Sequence, residues 1–457
     1  MFIYNSLSSS VEKFKDSGQV NIYYCGPTVY NDIHIGNALS AVRADFVRRT
    51  LNYLGYSVKF AANWTDIDDK MIERASTLNI SVSNLADKVI PMIESAYDKL
   101  NVLPPDIRMR ATQHIDSMLM IIKNLIEKDI AYFIDGDGIY FDVSKFDDYG
   151  KLSNQLIDQL KSGVRVDAND NKRNLTDFVL WKFAKPSEPV FKDPDNIIPD
   201  GRPGWHIECS AMVHDAFNGE TIDIHMGGVD LKFPHHECEI AQSESCFDKK
   251  FCNFWMHNGY LLINGEKMSK SLSNFKYAVD LFDSYSPLDL RFFMLSTQYT
   301  APIEFTQKTL NAAVSSRYRI QNFYNSIINR ETNEDFDDSK MCAFINSTVD
   351  NFKSALNNNF NVSIALQSVF DLISEVNSIS NFSKKCKDLL VKFLLDFNKV
   401  FAVLKEDNVI PDDVINLCEE RLKARISKDY VKSDNLRLQI RKMGFEIRDN
   451  GDSYEVY

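Results

Sequence analysis

The chain has 457 residues, with 52 Lys and Arg against 64 Asp and Glu, and a formal net charge of −12 that excludes a generally basic nucleic-acid coat. At 44% hydrophobic and 25% charged residues, with 17 Gly and 13 Pro, the composition is globular and excludes collagen-like, low-complexity and wholly disordered chains. Met1 to Asp16 lacks a basic segment followed by an apolar run, and no run reaches membrane-spanning length, so the sequence predicts a soluble cytoplasmic protein. Eight cysteines are too sparse for a disulfide scaffold and leave reduced thiols as candidate metal ligands.

All eight histidines (34, 114, 206, 214, 225, 235, 236, 257) and all four tryptophans (64, 181, 205, 255) precede residue 258, which places the chemistry in the N-terminal part. Val20 to Cys25 reads as a strand meeting Gly26-Pro27, and Ala38 to Leu51 as a helix. Between them His34-Ile35-Gly36-Asn37 opens the helix. A helix N-terminus offers unpaired N–H groups and the positive end of its dipole to phosphate, with Gly36 allowing close approach. Alone, the same residues read as a histidine in a turn until a second element agrees. Asn63 to Lys70 carries Asp66, Asp68 and Asp69 and reads as a polar strand end, not a Mg²⁺ site.

Candidate zinc ligands are Cys25, Cys209 and the cluster Phe233-Pro234-His235-His236-Glu237-Cys238-Glu239. Pro234 suits the first position of a helix, which sets His235 and Glu239 four apart on one face. Such a pair binds Zn²⁺ when two thiolates come from elsewhere, and Cys238 is a competing donor. No Cys-x-x-Cys pair is present, so spacing alone equally admits ordinary core histidines.

Asp223 to Asp230 reads as a strand ending in Gly227-Gly228 and an acid, suited to a nucleoside whose ribose hydroxyls Asp230 accepts. Lys267-Met268-Ser269-Lys270-Ser271 reads as a loop that brings two point charges to a triphosphate, or, alone, as a solvated basic turn. Beyond Ala301 the pattern is helical, as in Ser363 to Val376. Residues 419 to 448 hold nine Lys and Arg against five Asp and Glu, either a solvated helix face or a contact for an anionic polymer.

The order and spacing of HIGN and KMSKS, with Asn37 and Lys267 230 positions apart in an α/β body, resembles the class I aminoacyl-tRNA synthetases. In that family the first motif more widely ends in a second His, which Asn37 replaces. Tyr24 to Tyr30 (YCGPTVY), Gly201 to Met212 (GRPGWHIECSAM) and Phe233 to Glu237 (FPHHE) resemble the cysteinyl-tRNA synthetases, and the likeness runs over nearly the whole chain. It implies an α/β Rossmann-type catalytic core, a parallel sheet split by an insertion, followed by an all-α helical bundle and a small C-terminal domain. The implied parts are residues 1–117 and 201–265 for the two halves of the core, 118–200 for the insertion, 266–315 for the KMSKS loop and stem contact, 316–402 for the bundle and 403–457 for a basic anticodon-proximal domain.

The resemblance further implies ATP-dependent activation of L-cysteine to cysteinyl-adenylate and its transfer to the 3′ end of tRNA(Cys) by a monomer without membrane contact. His34, Lys267 and Lys270 would carry the catalysis. Gly36, Asn37, Gly228 and Asp230 would join His34 and Lys270 around ATP and its Mg²⁺, and Trp205 and His225 would wall the substrate pocket. Cys25, Cys209, His235 and Glu239 would hold one Zn²⁺ per chain. Two other readings are a ligase that gives cysteine to an amino sugar through the same adenylate, whose members lack the extended C-terminal part, and a non-catalytic zinc-dependent RNA-binding protein, which leaves the HIGN and KMSKS pair unexplained.

Overall fold

The structure, a computed structural model, describes residues 1–15, 18–154, 171–268, 275–334, 337–379, 381–406, 412–443, 445, 447–450 and 453–456. The chain divides into two compact units, residues 1–32, 56–95 and 103–259 in the first and 33–55, 96–102 and 260–457 in the second.

The first unit opens with an antiparallel hairpin, β1 (Phe2–Asn5) and β2 (Ser10–Lys13). Chain order then runs β3 (Gln19–Tyr24), α1 (Ile35–Tyr53), β4 (Ser57–Trp64), α2 (Asp69–Leu78), α3 (Val82–Lys99), β5 (Ile107–Arg110) and α4 (Ile115–Glu127), of which α1 belongs to the second unit. Four short strands, β6 (Ala131–Ile134), β7 (Gly138–Phe141), β8 (Phe178–Phe183) and β9 (Gly201–Pro203), pair antiparallel in that order. The unit is completed by α5 (Trp205–Ala216), β10 (Ile222–Gly228), α6 (Glu237–Phe247) and β11 (Cys252–Asn258).

The central sheet has the order β11-β10-β3-β4-β5 and is parallel throughout. Strands covered on both faces need apolar side chains on both, as in the buried run Phe60 to Ala62 of β4. The order reverses at β3, with β4 on one side and β10 on the other, and the crevice at the carboxyl ends of such strands is where open α/β sheets bind ligands. Register places His225 opposite Tyr23 and Trp255, and the Cys25 N–H donates to the Met226 carbonyl at 2.9 Å. The residues that leave β3 and β10 are thereby fixed side by side. Below them Met118, Ile121 and Leu125 of α4, Ile207 and Met212 of α5, and Ile240 of α6 share one core with Trp181 and Trp255.

The three aspartates after β4 are structural. Asp66 accepts from Arg110 Nε and the Thr112 N–H, both at 2.9 Å, Asp68 caps α2 by accepting from the Met71 N–H at 2.7 Å, and Asp69 pairs with Arg202 at 2.6 Å. One expectation is corrected: α6 begins at Glu237, not at Pro234. Lys232–His236 instead form one wide turn in which Phe233 is extended at φ −139°, ψ 134° and its peptide bond to Pro234 is cis. That turn closes with wider hydrogen bonding than an α-helix, so regular α-helical pairing begins only at Glu237, while His235 and Glu239 still meet four positions apart.

In the second unit α1 is joined by a small sheet of β12 (Leu261–Ile263), β13 (Glu266–Lys267) and β14 (Ile303–Glu304), and by α7 (Ala278–Leu281) and α8 (Pro287–Met294). The helical region follows as α9 (Gln307–Asn329), α10 (Ser339–Asn357), α11 (Val362–Asn377) and α12 (Lys384–Phe401). The helix expected at Ser363 to Val376 falls within α11. Buried Arg291 ties these parts together, bonding Asp45 at 2.5 Å and the carbonyls of Phe401, Leu100 and Asn101 at 2.6, 2.8 and 3.0 Å. The end of the chain, α13 (Asp412–Ile426), α14 (Tyr430–Lys442) and the hairpin β15 (Ile447–Asn450) with β16 (Ser453–Val456), has its own small core of Val414, Cys418, Ile440 and Ile447. The parallel α/β core followed by a helical region is the fold class read from the sequence. No helix among the described residues is long and apolar enough to cross a membrane.

Candidate metal centre and nucleotide-binding segment

Cys25 follows β3, Cys209 lies in α5, His235 in the turn before α6 and Glu239 in its first turn. Their ligand atoms lie within 4.8 Å of one another, and all four residues are buried. Cys25 Sγ is 3.6 Å from Cys209 Sγ and 3.5 Å from His235 Nε2, and His235 Nε2 is 3.0 Å from Glu239 Oε1. A tetrahedral ion with bonds of about 2.3 Å to sulfur and about 2.0 Å to nitrogen sets sulfurs about 3.8 Å apart and sulfur from nitrogen about 3.5 Å. The cluster already has those separations. Glu239 Oε1 is also buried without a hydrogen-bond donor aligned on it, an orphaned acceptor facing the same point. The donor set fits zinc: two soft sulfurs, an imidazole and a carboxylate.

The electrostatics also favour positive charge at that point. The Glu239 carboxyl is held down at about 2: burial opposes its charge, and the attraction of His225 and His235 outweighs burial. His235 is pushed up to about 10, burial again opposing and Glu239 prevailing. A cation on Nε2 takes the place of that proton.

Around the cluster lies a second layer of histidines. His225 Nε2 is 2.7 Å from Glu239 Oε2, His206 Nδ1 is 3.0 Å from His235 Nδ1, and His236 Nδ1 is 2.8 Å from His257 Nε2. Burial, then the charge of His235, pushes His206 down to about 3, so it stays neutral and accepts the proton that His235 carries on Nδ1. Partners of this kind fix a ligand's tautomer and ring plane. Trp205, the first residue of α5, stacks on His235 with ring centroids 4.2 Å apart and is 39% exposed. His225, expected with Trp205 around the substrate pocket, is fully buried with its Nε2 on the Glu239 carboxylate. Sequence reasoning passed over His206, His236 and His257, although their concentration before residue 258 was visible. Cys238, the rival donor, is turned away with Sγ 3.4 Å from Tyr149 Oη, and burial pushes its thiol well up.

Beyond β10, an added Cβ on Gly228 would lie 2.5 Å from Asp230 Oδ1, so only glycine lets that carboxylate fold back over the strand end. Asp230 itself is exposed in the turn Val229–Leu231.

The segment carrying HIGN is built within the second unit. His34 caps α1, its Nδ1 accepting from the Asn37 N–H at 3.2 Å. The ring fills the space over Gly36, where an added Cβ would lie 3.0 Å from His34 Nδ1 and 3.6 Å from Met268 Cε. Two backbone bonds join this turn to the stretch after KMSKS: Ile35 N–H to the Lys276 carbonyl at 3.1 Å and Ala278 N–H to the Ile33 carbonyl at 2.9 Å. The two motifs, remote in sequence, are thus neighbours. Lys267 Nζ lies 4.4 Å from the centre of the Tyr260 ring. Lys270 lies outside the described residues.

Residues 11–315 match the family model of the class I tRNA synthetase (C) catalytic domain. The chain is 41% identical to the cysteine–tRNA ligase of Staphylococcus haemolyticus over 98% of its own length and 97% of that protein. It is 39% identical to that of Methanococcus maripaludis over 100% and 98%. The chain belongs to the cysteine–tRNA ligases. As a cysteine–tRNA ligase it has tRNA, ATP and cysteine as partners, and it shares its fold with distant synthetases. Methionyl-tRNA synthetase of Mycobacterium tuberculosis bound to methionyl-adenylate superposes with a TM-score of 0.60 at 14% identity, covering 84% of this chain and 90% of that one. The LeuRS–tRNA–LeuAMS complex of Agrobacterium radiobacter K84 superposes with 0.61 at 11% identity, covering 85% and 84%.

Proposed function

We propose that this ligase selects L-cysteine through a zinc ion held by Cys25, Cys209, His235 and Glu239, and couples it to tRNA(Cys) by way of cysteinyl-adenylate. The observation that carries the reading is the convergence of those four buried donors within 4.8 Å of one another, with Cys25 standing from Cys209 and His235 at the distances a tetrahedral ion sets. Cysteine and serine differ by sulfur for oxygen, and shape alone discriminates a methylene-sized change by only about 1 to 3 kcal/mol. When bound, the zinc supplies a soft Lewis acid for which a thiol competes far better than a hydroxyl.

In the first step the cysteine carboxylate attacks the α-phosphate of ATP and pyrophosphate leaves. In the second the terminal ribose hydroxyl of tRNA takes the cysteinyl group and AMP leaves. The chain's work is positioning and charge stabilisation. His34 accepts from Asn37 on Nδ1, which puts its proton on Nε2 as donor to a phosphate oxygen. Lys267 and Lys270 hold the departing pyrophosphate with the Mg²⁺ that accompanies ATP, and Asp230 accepts ribose hydroxyls. Exposed Lys423, Lys428, Lys432, Arg441 and Lys442, in the part assigned as 403–457, meet the tRNA backbone.

The deciding experiment pairs metal analysis with cysteine-dependent pyrophosphate exchange on one preparation. Zinc in the purified protein, loss of exchange on chelation, return on adding zinc and poor use of serine are expected. Undiminished exchange by a metal-free protein would overturn the zinc reading and leave the adenylate reading standing.

A further inference from the structure

A third group of metal-ligating side chains lies in the helical region, away from every residue used above. Asp338, Cys342 and Cys386 are buried, and their ligand atoms lie within 4.8 Å of one another. They meet where the first turns of α10 and α12 come together: Asp338 is the residue before α10, Cys342 lies one turn into it, and Ser383, the residue before α12, caps Cys386. The Asp338 carboxylate is anchored through Oδ2, which accepts from the Ser383 N–H at 2.7 Å. Its Oδ1 accepts from the Cys342 thiol, with Sγ at 3.6 Å, and Cys386 is within hydrogen-bond reach of both partners, so the protons a metal would displace already point into the cluster. Among the described residues no lysine or arginine pairs with Asp338, although Asp338 is only 9% exposed. A buried carboxylate without a cation, aimed at two buried sulfurs, is an arrangement that a cation completes.

We propose that Asp338, Cys342 and Cys386 form a second metal site for a thiophilic divalent cation of the zinc class, with three protein ligands and one open position. Two sulfurs select against magnesium and calcium, which take oxygen ligands. On binding, the two S–H protons leave to the buffer and two metal–sulfur bonds replace them, with no change of oxidation state. The cation cross-links the starts of α10 and α12. Its role is to fasten the helical region, and it takes no part in the activation of cysteine.

The test counts cadmium, as probe, on the full-length chain through its thiolate charge-transfer absorbance and by elemental analysis. The unaltered chain is expected to take up two equivalents. The double variant Cys342→Ser with Cys386→Ser should take up one and keep its cysteine-dependent pyrophosphate exchange when loaded with zinc. Cys209→Ser should also take up one but lose exchange, which separates the two sites. Asp338→Asn should weaken the second equivalent at least tenfold and lower the gain in melting temperature that metal gives the helical region. A single equivalent on the unaltered chain that Cys209→Ser abolishes overturns the proposal without any helical variant having to fold. Two equivalents surviving in the double serine variant, or a Cys342–Cys386 disulfide in place of metal, overturn it as well.

Discussion

His225 holds Glu239 from behind: its Nε2 lies 2.7 Å from Oε2, both groups fully buried, while Oε1 of the same carboxylate faces the two sulfurs and His235. In the proposed zinc site the histidine therefore acts through the carboxylate it holds. Loss of such a supporting partner costs about 10- to 100-fold in metal affinity. His225→Ala should lower zinc affinity by that factor in competition with a chelator, and His225→Gln, which retains a donor, should restore part of it. Equal affinity in both variants would show that Glu239 needs no support.

Cys209→Ser removes one of the two sulfurs of the cluster and should abolish zinc retention and cysteine-dependent exchange together. Cys238→Ser should do neither, since Cys238 faces Tyr149, and should cost only about 1 kcal/mol for a more polar buried group. Metal content of the two variants decides between Glu239 and Cys238 as fourth donor.

His34→Ala removes both the N-cap acceptor of α1 and the proposed phosphate donor. The first loss is worth about 1 kcal/mol of stability and the second about 10² to 10³-fold in adenylate formation. Cysteine binding should stay near normal. If exchange falls only in step with the melting temperature, the cap is the whole role of His34.

Arg291→Met should destabilise the second unit by about 2 to 5 kcal/mol, because it leaves the buried carbonyls of Phe401 and Leu100 without that donor and Asp45 with Arg49 as its remaining partner. A double variant that also replaces Asp45 with Asn should recover part of that loss. Denaturant unfolding of the single and double variants measures both.

A chain cut after Glu406 loses α13, α14 and the last hairpin, which have a core of their own, and should keep cysteine-dependent exchange. Charging of tRNA should fall, and its salt dependence should become shallower, by a slope of about 0.9 for each phosphate that is no longer neutralised. Arg421 does not count towards that slope, because it is buried and forks onto Asp449 at 2.6 and 3.1 Å. Parallel loss of exchange and charging would show that the tail merely supports the rest.

The strand and helix around HIGN, the helix at Ser363 to Val376 and the α/β class were legible because local periodicity and turn residues declare them. Cys25, Cys209, His235 and Glu239 were singled out by resemblance, since nothing in their spacing announces that β3, α5 and the turn before α6 meet. His225 and His257 are placed by cross-strand register, His225 beside Tyr23 and Trp255, and His206 and His236 by the packing of α5 and of the turn before α6, and contacts so far apart in sequence leave no local pattern. The start of α6 was misread because proline at a helix start is usual and a cis peptide bond leaves no trace in residue order. Arg421 read as a surface cation because its partner Asp449 stands 28 positions away, on a hairpin strand.

The strand order β11-β10-β3-β4-β5 has a consequence for synthesis. β3, β4 and β5 are complete by residue 110, but β10, the neighbour of β3 on its other side, begins only at Ile222. At translation speeds of about 5 to 20 residues per second the β3 edge stays unpaired for roughly 6 to 22 seconds, open to strands of other chains. Cys25 waits with it, because Met226, whose carbonyl accepts from its amide, and His235 and Glu239 of the buried cluster are made only after β10 has begun. A nascent chain stalled before Ile222 would present both an adhesive strand and a solvent-exposed thiol, so the period of greatest vulnerability to aggregation and oxidation falls on the ribosome, before the enzyme has any activity to lose.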